Sequence, residues 1–237
     1  MIFAENIAAI IPARGNSKGI PRKNVKPLTG KPLIIWTIET AFKCQCVDRV
    51  IVSTEDVEIA EVSKRHSAEA PFMRPIKLSE DDVSDFQVCQ HALRWMADHE
   101  NYHPDIVVWL RPTCPLRRAE DIEAAVEKLI TTRADCVRSV SLVEDHPYWM
   151  KQIDGDRLLP FLEDKDERKY YQRQLLPPVY RLNGAVDVVW AKNVLEKKLL
   201  FGGDMRAYIM PQELSLDIDT ELDFILTEAI LKRQRYD

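Results

Sequence analysis

The segment IPARGNSKGIPRKN, residues 11–24, gathers Arg14, Lys18, Arg22 and Lys23 around Gly15 and Gly19, directly after an apolar run. Glycines permit turns that aim backbone N–H groups inward, and the cations would neutralise a polyphosphate, so the stretch reads as an anion cradle. A solvated basic loop has the same composition. Neither G-x-G-x-x-G nor G-x-x-x-x-G-K-[ST] is present, which argues against a standard dinucleotide-binding oxidoreductase and a P-loop NTPase. Near the other end, SLDIDTELD (215–223) holds Asp217 and Asp219 two residues apart. In extended backbone that spacing puts both carboxylates on one side, where they can share a cation. Mg²⁺ takes one or two carboxylates and completes its shell with water and phosphate oxygens. The same stretch also reads as a strand-to-helix junction in which Asp219 or Thr220 caps the final helix.

Residues so far apart must be brought together by the fold, and the chain alternates short apolar runs with helical periodicity. Strands are expected at 7–13, 48–54, 105–112 and 136–143, and helices at 32–43, 56–66, 86–99 and 119–131. This order is the signature of an α/β fold with a parallel sheet covered by helices. A buried strand running into ARGNSKG ends at the carboxyl edge of that sheet, where open α/β folds bind ligands. From 144 to 182 the pattern turns polar and irregular, a stretch too long to be an ordinary loop and expected to protrude. Strands at 184–191 and 205–211 and a helix at 220–234 follow.

At 237 residues and 46% apolar composition the chain can bury a core as one domain, and a net charge of −5 gives no general attraction to nucleic acid or an anionic membrane. No run approaches a membrane span, and the N-terminus lacks a basic region before its apolar part, so a cytoplasmic location is expected. The five Cys (44, 46, 89, 114, 136) read as reduced thiols and the Cys44-Gln-Cys46 pair as incidental. The five His lack metal-ligand spacing, and no G-x-S-x-G frames a nucleophile.

IPARGNSKGIPRKN followed by GKPLIIWTIETA resembles the nucleotide-binding loop of the acylneuraminate (CMP-sialic acid synthetase) cytidylyltransferase family. The resemblance continues through RVIVSTED, RPIKLSED, LRPTCPLR, HPYWMK, YRLNGA and YIMPQELSLDIDTELDF, over nearly the whole chain. Its nearest likeness is to members that activate nine-carbon acids such as legionaminic acid. It implies a Rossmann-like, mostly parallel sheet flanked by helices, of the nucleotide-diphospho-sugar transferase type. One domain would span 1–237, with a dimerisation excursion at about 144–182 and a homodimer as the assembly. The implied reaction is attack by a sugar-acid hydroxyl on the α-phosphorus of CTP, with Mg²⁺ as cofactor and pyrophosphate as leaving group.

By the same resemblance Arg14, Ser17, Lys18, Lys23 and Asn24 hold the triphosphate, with Gly15 and Asn16 in the same loop, while Arg22 faces solvent. Arg14, Lys23 and Asp219 would be catalytic, Asp217 and Asp219 would hold the metal, and Arg74 would contact the base. Arg173, Arg181 and Asn183 match positions near the sugar, with Arg173 serving the neighbouring subunit, and His146 has a positioning role. Three residues depart from the pattern: Asp85 beside the base, where a small hydroxyl is common, Arg111 in place of Gln, and Asp187 in place of Tyr, the last two where the sugar should lie. Arg111 and Asp187 either pair with each other or signal a different acceptor. Two alternatives remain: a same-fold transferase using another NTP and a sugar 1-phosphate, such as a guanylyltransferase, or a non-catalytic nucleotide-binding dimer.

Overall fold

A computed structural model describes residues 6–17, 19–162 and 170–233. In chain order the elements are β1 (Ile7–Pro12), β2 (Pro27–Leu28), β3 (Lys31–Pro32), α1 (Leu33–Lys43), β4 (Arg49–Ser53), α2 (Val57–Arg65) and α3 (Asp85–Glu100). Then come β5 (Ile106–Trp109), α4 (Ala119–Thr132), β6 (Cys136–Leu142), β7 (Lys151–Asp154), β8 (Arg157–Pro160), β9 (Tyr180–Trp190), α5 (Ala191–Leu195), β10 (Met205–Ile209) and α6 (Glu221–Arg233).

Six strands form the central sheet in the order β10-β6-β9-β5-β1-β4. All neighbours run parallel except β9, which is antiparallel to both β5 and β6. The central strand β1 is apolar throughout because both of its faces are covered. The pleat sends Ile7, Ala9 and Ile11 into one core with Ile106 and Val108, and Ile10 into a second core with Val107 and Trp109. Helices α1 and α4 contribute Ile34, Ile38, Ile122 and Leu129 to the first core, and α3 contributes Val88, Cys89 and Met96 to the second. Each fully buried Ile or Leu contributes about 1.5–3 kcal/mol relative to exposure. All five cysteines are buried and unpaired.

Helix starts follow local capping chemistry. Asp56 accepts from the Ile59 N–H at the head of α2, and Ser84 with Gln87 forms a capping box on α3. Within the stretch expected to be aperiodic, β7 and β8 make an antiparallel hairpin whose turn uses Gly155 at φ 64. Asp-Gly before a β-forming run is a hairpin signal, and it lies in KQIDGDRLLP.

Strand β9 starts at Tyr180 and carries a bulge. Its register passes from Asp187 opposite Arg138 to Leu182 opposite Val140, leaving residues 183–186 of β9 against Ser139 alone. Bulges of this kind re-aim side chains beside active sites. Gly184 adopts φ 68 there, a backbone state that disfavours any side chain. The carboxyl ends of β4, β1 and β5 and the bulged end of β9 therefore share one edge of the sheet.

Candidate active site

Close approach shapes the loop after β1 at both of its glycines, and Gly15 has no positive φ. A Cβ on Gly19 would lie 2.1 Å from the Asp219 carbonyl oxygen, and one on Gly15 would lie 2.6 Å from the Asp56 carboxylate. The Gly15 N–H donates to Glu55 Oε1 at 2.7 Å. That donor is therefore held by the acid that follows β4. Gly19→Ala is expected to push the Asp219 backbone away and lower kcat/KM roughly 100-fold with native circular dichroism retained, as a displacement of about 1 Å at a reacting centre does.

The cationic turn and the acidic couplet meet. Lys23 lies in a 3-10 turn, Lys23–Val25, and is only 9% exposed. Its Nζ donates to the Ile218 carbonyl at 2.6 Å and lies 3.2 Å from Asp219 Oδ1. The Ile218 N–H donates in turn to the Thr113 carbonyl at 2.9 Å, which ties the couplet to the loop after β5. Capping of α6 falls to Thr220, whose Oγ1 accepts from the Asp223 N–H while the Asp223 carboxylate accepts from the Thr220 N–H. The carboxylate of Asp219 is left to the cleft, with its side chain 74% exposed.

A cleft of about 340 Å³ opens between these parts. Of the residues expected to hold a nucleotide, Arg14, Ser17, Lys23, Asn24, Arg74 and Asp85 line it, as do Arg111, Asp217 and Asp219. Asn16 is exposed and outside that lining, and Lys18 lies outside the described residues. Asn24 works on the loop itself, donating from Nδ2 to the Arg14 carbonyl at 2.9 Å. Arg14 reaches Asp81 at 2.7 Å across the opening.

Arg22, expected in solvent, instead forms ion pairs with Asp56 and Glu58. The Arg22 guanidinium holds the Asp56 carboxyl below its ordinary range. Burial alone would raise Glu55, but hydrogen bonds from the Gly15 N–H, Ser79 and Arg74 outweigh it and hold Glu55 low as well. A depressed native pKa gives stability that is complete above the unfolded-state value, about 4, and is lost as pH falls through the native value. The urea midpoint is therefore expected to fall more steeply below about pH 4 in the wild type than in Asp56→Asn.

Asp187 is 1% exposed and lies between two guanidiniums. Arg111 Nη1 donates to its Oδ2 at 2.7 Å and Arg138 Nε to its Oδ1 at 2.9 Å. Arg111 also pairs with Asp85, the first residue of α3. The two departures from the family pattern thus pair with one another, and the Asp187 carboxylate is engaged by two guanidiniums. Asn183, expected near the sugar, is 2% exposed. Its Oδ1 accepts from Ser139 and the Ala185 N–H, and its Nδ2 donates to Ser215, so the amide patches the β9 bulge. Arg181 donates to the Ser215 carbonyl at 3.1 Å. Arg173, in an exposed 3-10 turn, is not among the residues lining the cleft. His146 accepts from the Tyr148 N–H at Nδ1 and donates from Nε2 to the Pro177 carbonyl at 3.0 Å, joining the two ends of the excursion.

Sequence reasoning missed Arg138, Glu55 and Arg117. Arg138 could have been found as a lone cation in an apolar strand, which needs an anion, and Asp187 is the matching lone acid in another. Arg117 is fully buried and donates to the carbonyls of Arg111 and Cys114 and to Thr37, fixing the loop after β5; burial pushes its pKa down to about 10.

A family model described as cytidylyltransferase matches residues 8–236. The chain belongs to the cytidylyltransferase family. This nucleotidyltransferase is 34% identical to the CMP-N,N'-diacetyllegionaminic acid synthase of Legionella pneumophila over 95% of its own length and 96% of the relative's. It is 33% identical to the pseudaminic acid cytidylyltransferase of Campylobacter jejuni, covering 94% and 95% of the two chains. The N-acylneuraminate cytidylyltransferase of Escherichia coli is 34% identical over 96% of this chain, which spans 52% of that protein. The solved CMP:2-keto-3-deoxy-manno-octonic acid synthetase complexed with CTP shares the fold of this cytidylyltransferase at TM-score 0.71 and 16% identity, covering 97% and 99% of the two chains. Among the described residues no helix is long and apolar enough to cross a membrane.

Proposed function

We propose that this chain transfers CMP from CTP to the hydroxyl of a nonulosonic acid of the sialic or legionaminic type and releases pyrophosphate. A bond forms between the acceptor oxygen and the α-phosphorus, the bond from that phosphorus to the bridging oxygen breaks, and the hydroxyl proton departs. The observation that carries the reading is the meeting of Lys23 with Asp219 in a cleft that also holds Arg14, Arg74 and Asp217. Charge neutralisation and alignment supply most of the rate in such transfers, with no protein nucleophile required.

Arg14, Ser17 and Lys23 would face the triphosphate and Arg74 the base. Asp217 and Asp219 suit Mg²⁺: both are hard oxygen donors on the same cleft, and among the described residues no further His, Cys, Asp or Glu joins them as a metal cluster. Bound there with phosphate oxygens, Mg²⁺ would offset charge developing on the transferring and leaving groups. Lys23 fixes the Asp219 carboxylate and adds a positive charge beside it.

A second cavity of about 540 Å³ shares Asp85 and Arg111 with the first as a common wall and adds Arg138, Lys198, Phe86 and Phe201. A sugar acid fits it by its neighbouring position, its excess of cations and its aromatic sides. Trp149, Met150, Ile153, Leu158 and Phe161 of the excursion are each more than 40% exposed. We place the contact of a homodimer on this apolar surface, with Arg173 carried toward the neighbouring subunit. Sedimentation equilibrium should then give twice the chain mass.

The transfer is tested with CTP labelled at the α- or the γ-phosphorus and a sialic-type acid as acceptor. Label from the α-position should enter the sugar product and label from the γ-position should leave in pyrophosphate. Label from the γ-position on the sugar would refute the proposal.

A further inference from the structure

Glu55 touches no ligand-facing space, yet its carboxylate binds three parts of the nucleotide cleft at once. Oε1 accepts from the Gly15 N–H at 2.7 Å, and Oε2 accepts from Arg74 Nη2 and from Ser79 Oγ, both at 2.8 Å. Arg74 Nε donates to the same Ser79 at 3.0 Å, closing a ring of three side chains. Arg74 and Ser79 line the cleft, whereas Glu55 is not among the lining residues and its side chain is 15% exposed. Arg74 is itself 4% exposed, and the only acid with which it makes an ion pair among the described residues is Glu55.

These contacts divide the guanidinium of Arg74. Its Nε and one hydrogen of Nη2 are held from behind, which leaves Nη1 and the other Nη2 hydrogen for whatever enters the cleft. A buried guanidinium without this anchor would have to swing or carry an unpaired charge, and either change moves the donors presented to the ligand. The same carboxylate also fixes where the loop holding Arg14 and Ser17 leaves β1, through Gly15.

We propose that Glu55 is a positioning residue that locks Arg74 and the loop after β1 into one preformed nucleotide-binding frame. The inference rests on the reading of this cleft as the CTP site. It separates substrate capture from chemistry: Glu55 sets affinity for CTP and has no part in the transfer, which takes place beside Lys23 and Asp219. It also accounts for the paired acids at the end of β4, where Asp56 secures Arg22 and Glu55 secures Gly15 and Arg74.

The test is Glu55→Gln, which keeps size and an acceptor oxygen but removes the charge, measured by titration calorimetry with CTP and by steady-state kinetics. The Kd and KM for CTP should rise about 10- to 100-fold, the loss expected when a charge-assisted anchor is removed. kcat and the KM for the sugar acid should stay within about threefold. In an Arg74→Gln background the same change should raise the Kd by a smaller factor than it does alone, because only the anchors to Gly15 and Ser79 are then left to lose. Glu55→Asp, which keeps the charge but shortens the reach, should give a smaller rise in the same direction and serves if the Gln variant does not fold. An unchanged or lower Kd for CTP in a folded variant would overturn the proposal, as would full additivity with Arg74→Gln. Failure of the wild type to bind CTP would instead overturn the reading of the cleft.

Discussion

Asp219→Asn is expected to lower kcat about 1,000-fold or more, while CTP binding stays within several-fold and the fold is intact. The Asp219 side chain is 74% open and its one ion pair among the described residues, with Lys23, is long at 3.2 Å, so removing the charge should change stability by less than about 1 kcal/mol. Asn keeps the shape and an oxygen for Lys23, which isolates charge as the variable. If Asp219 supplies a carboxylate to a divalent cation, its loss removes several kcal/mol of stabilisation for the transferring group, and about 4 kcal/mol corresponds to the stated factor. Stopped kinetics with retained CTP binding by calorimetry is the diagnostic pair, and the Mg²⁺ concentration giving half the maximal rate should rise as well. Retained turnover would assign the residue to the cap region alone.

Asp187→Ala should give the largest loss of stability among the charged positions, about 3–5 kcal/mol, because it leaves two cations without the buried anion they share. For a chain of this size that corresponds to a fall in Tm of roughly 10 °C, measurable by calorimetry. Arg138 also stacks on the Phe201 ring at 3.9 Å and retains that contact, so the native state should survive at low temperature. Arg111→Gln combined with Asp187→Tyr, the residues expected from the family resemblance, should cost less than the sum of the single changes, since each single leaves a charge that the double removes. Additive losses would show that the two residues were not exchanged as a pair.

The buried runs of β1, β4, β5 and β6 were legible because an apolar strand between helices reads the same wherever it lies in the sheet. The insertion of β9 between β5 and β6 was not, since an apolar run carries no sign of its direction or neighbours. That insertion places Asp187 between Arg111 and Arg138, so the ion-pair chain could be suspected from lone charges but not assembled. In the cleft, Lys23, Asp217 and Asp219 were readable from residue type and spacing together with family likeness. The part played by Gly15 was not, because its reason is the approach of Glu55 and Asp56, acids that in sequence look like the ordinary start of a helix. Asn183 is a related case: the NGA stretch makes a bulge, and a buried amide that repairs a bulge has the same sequence signature as one that binds a sugar.

The central claim is that one cleft, in which Lys23 sits beside Asp219 and Asp217 shares the lining, moves CMP onto a sugar acid. Pyrophosphate release measured with CTP, UTP, ATP and GTP, each offered a nonulosonic acid or a sugar 1-phosphate, tests it most directly. The expected result is turnover with CTP and the nonulosonic acid that exceeds every other combination by at least about 100-fold. Turnover confined to GTP and a sugar 1-phosphate, or none with any pair despite tight nucleotide binding, would contradict it.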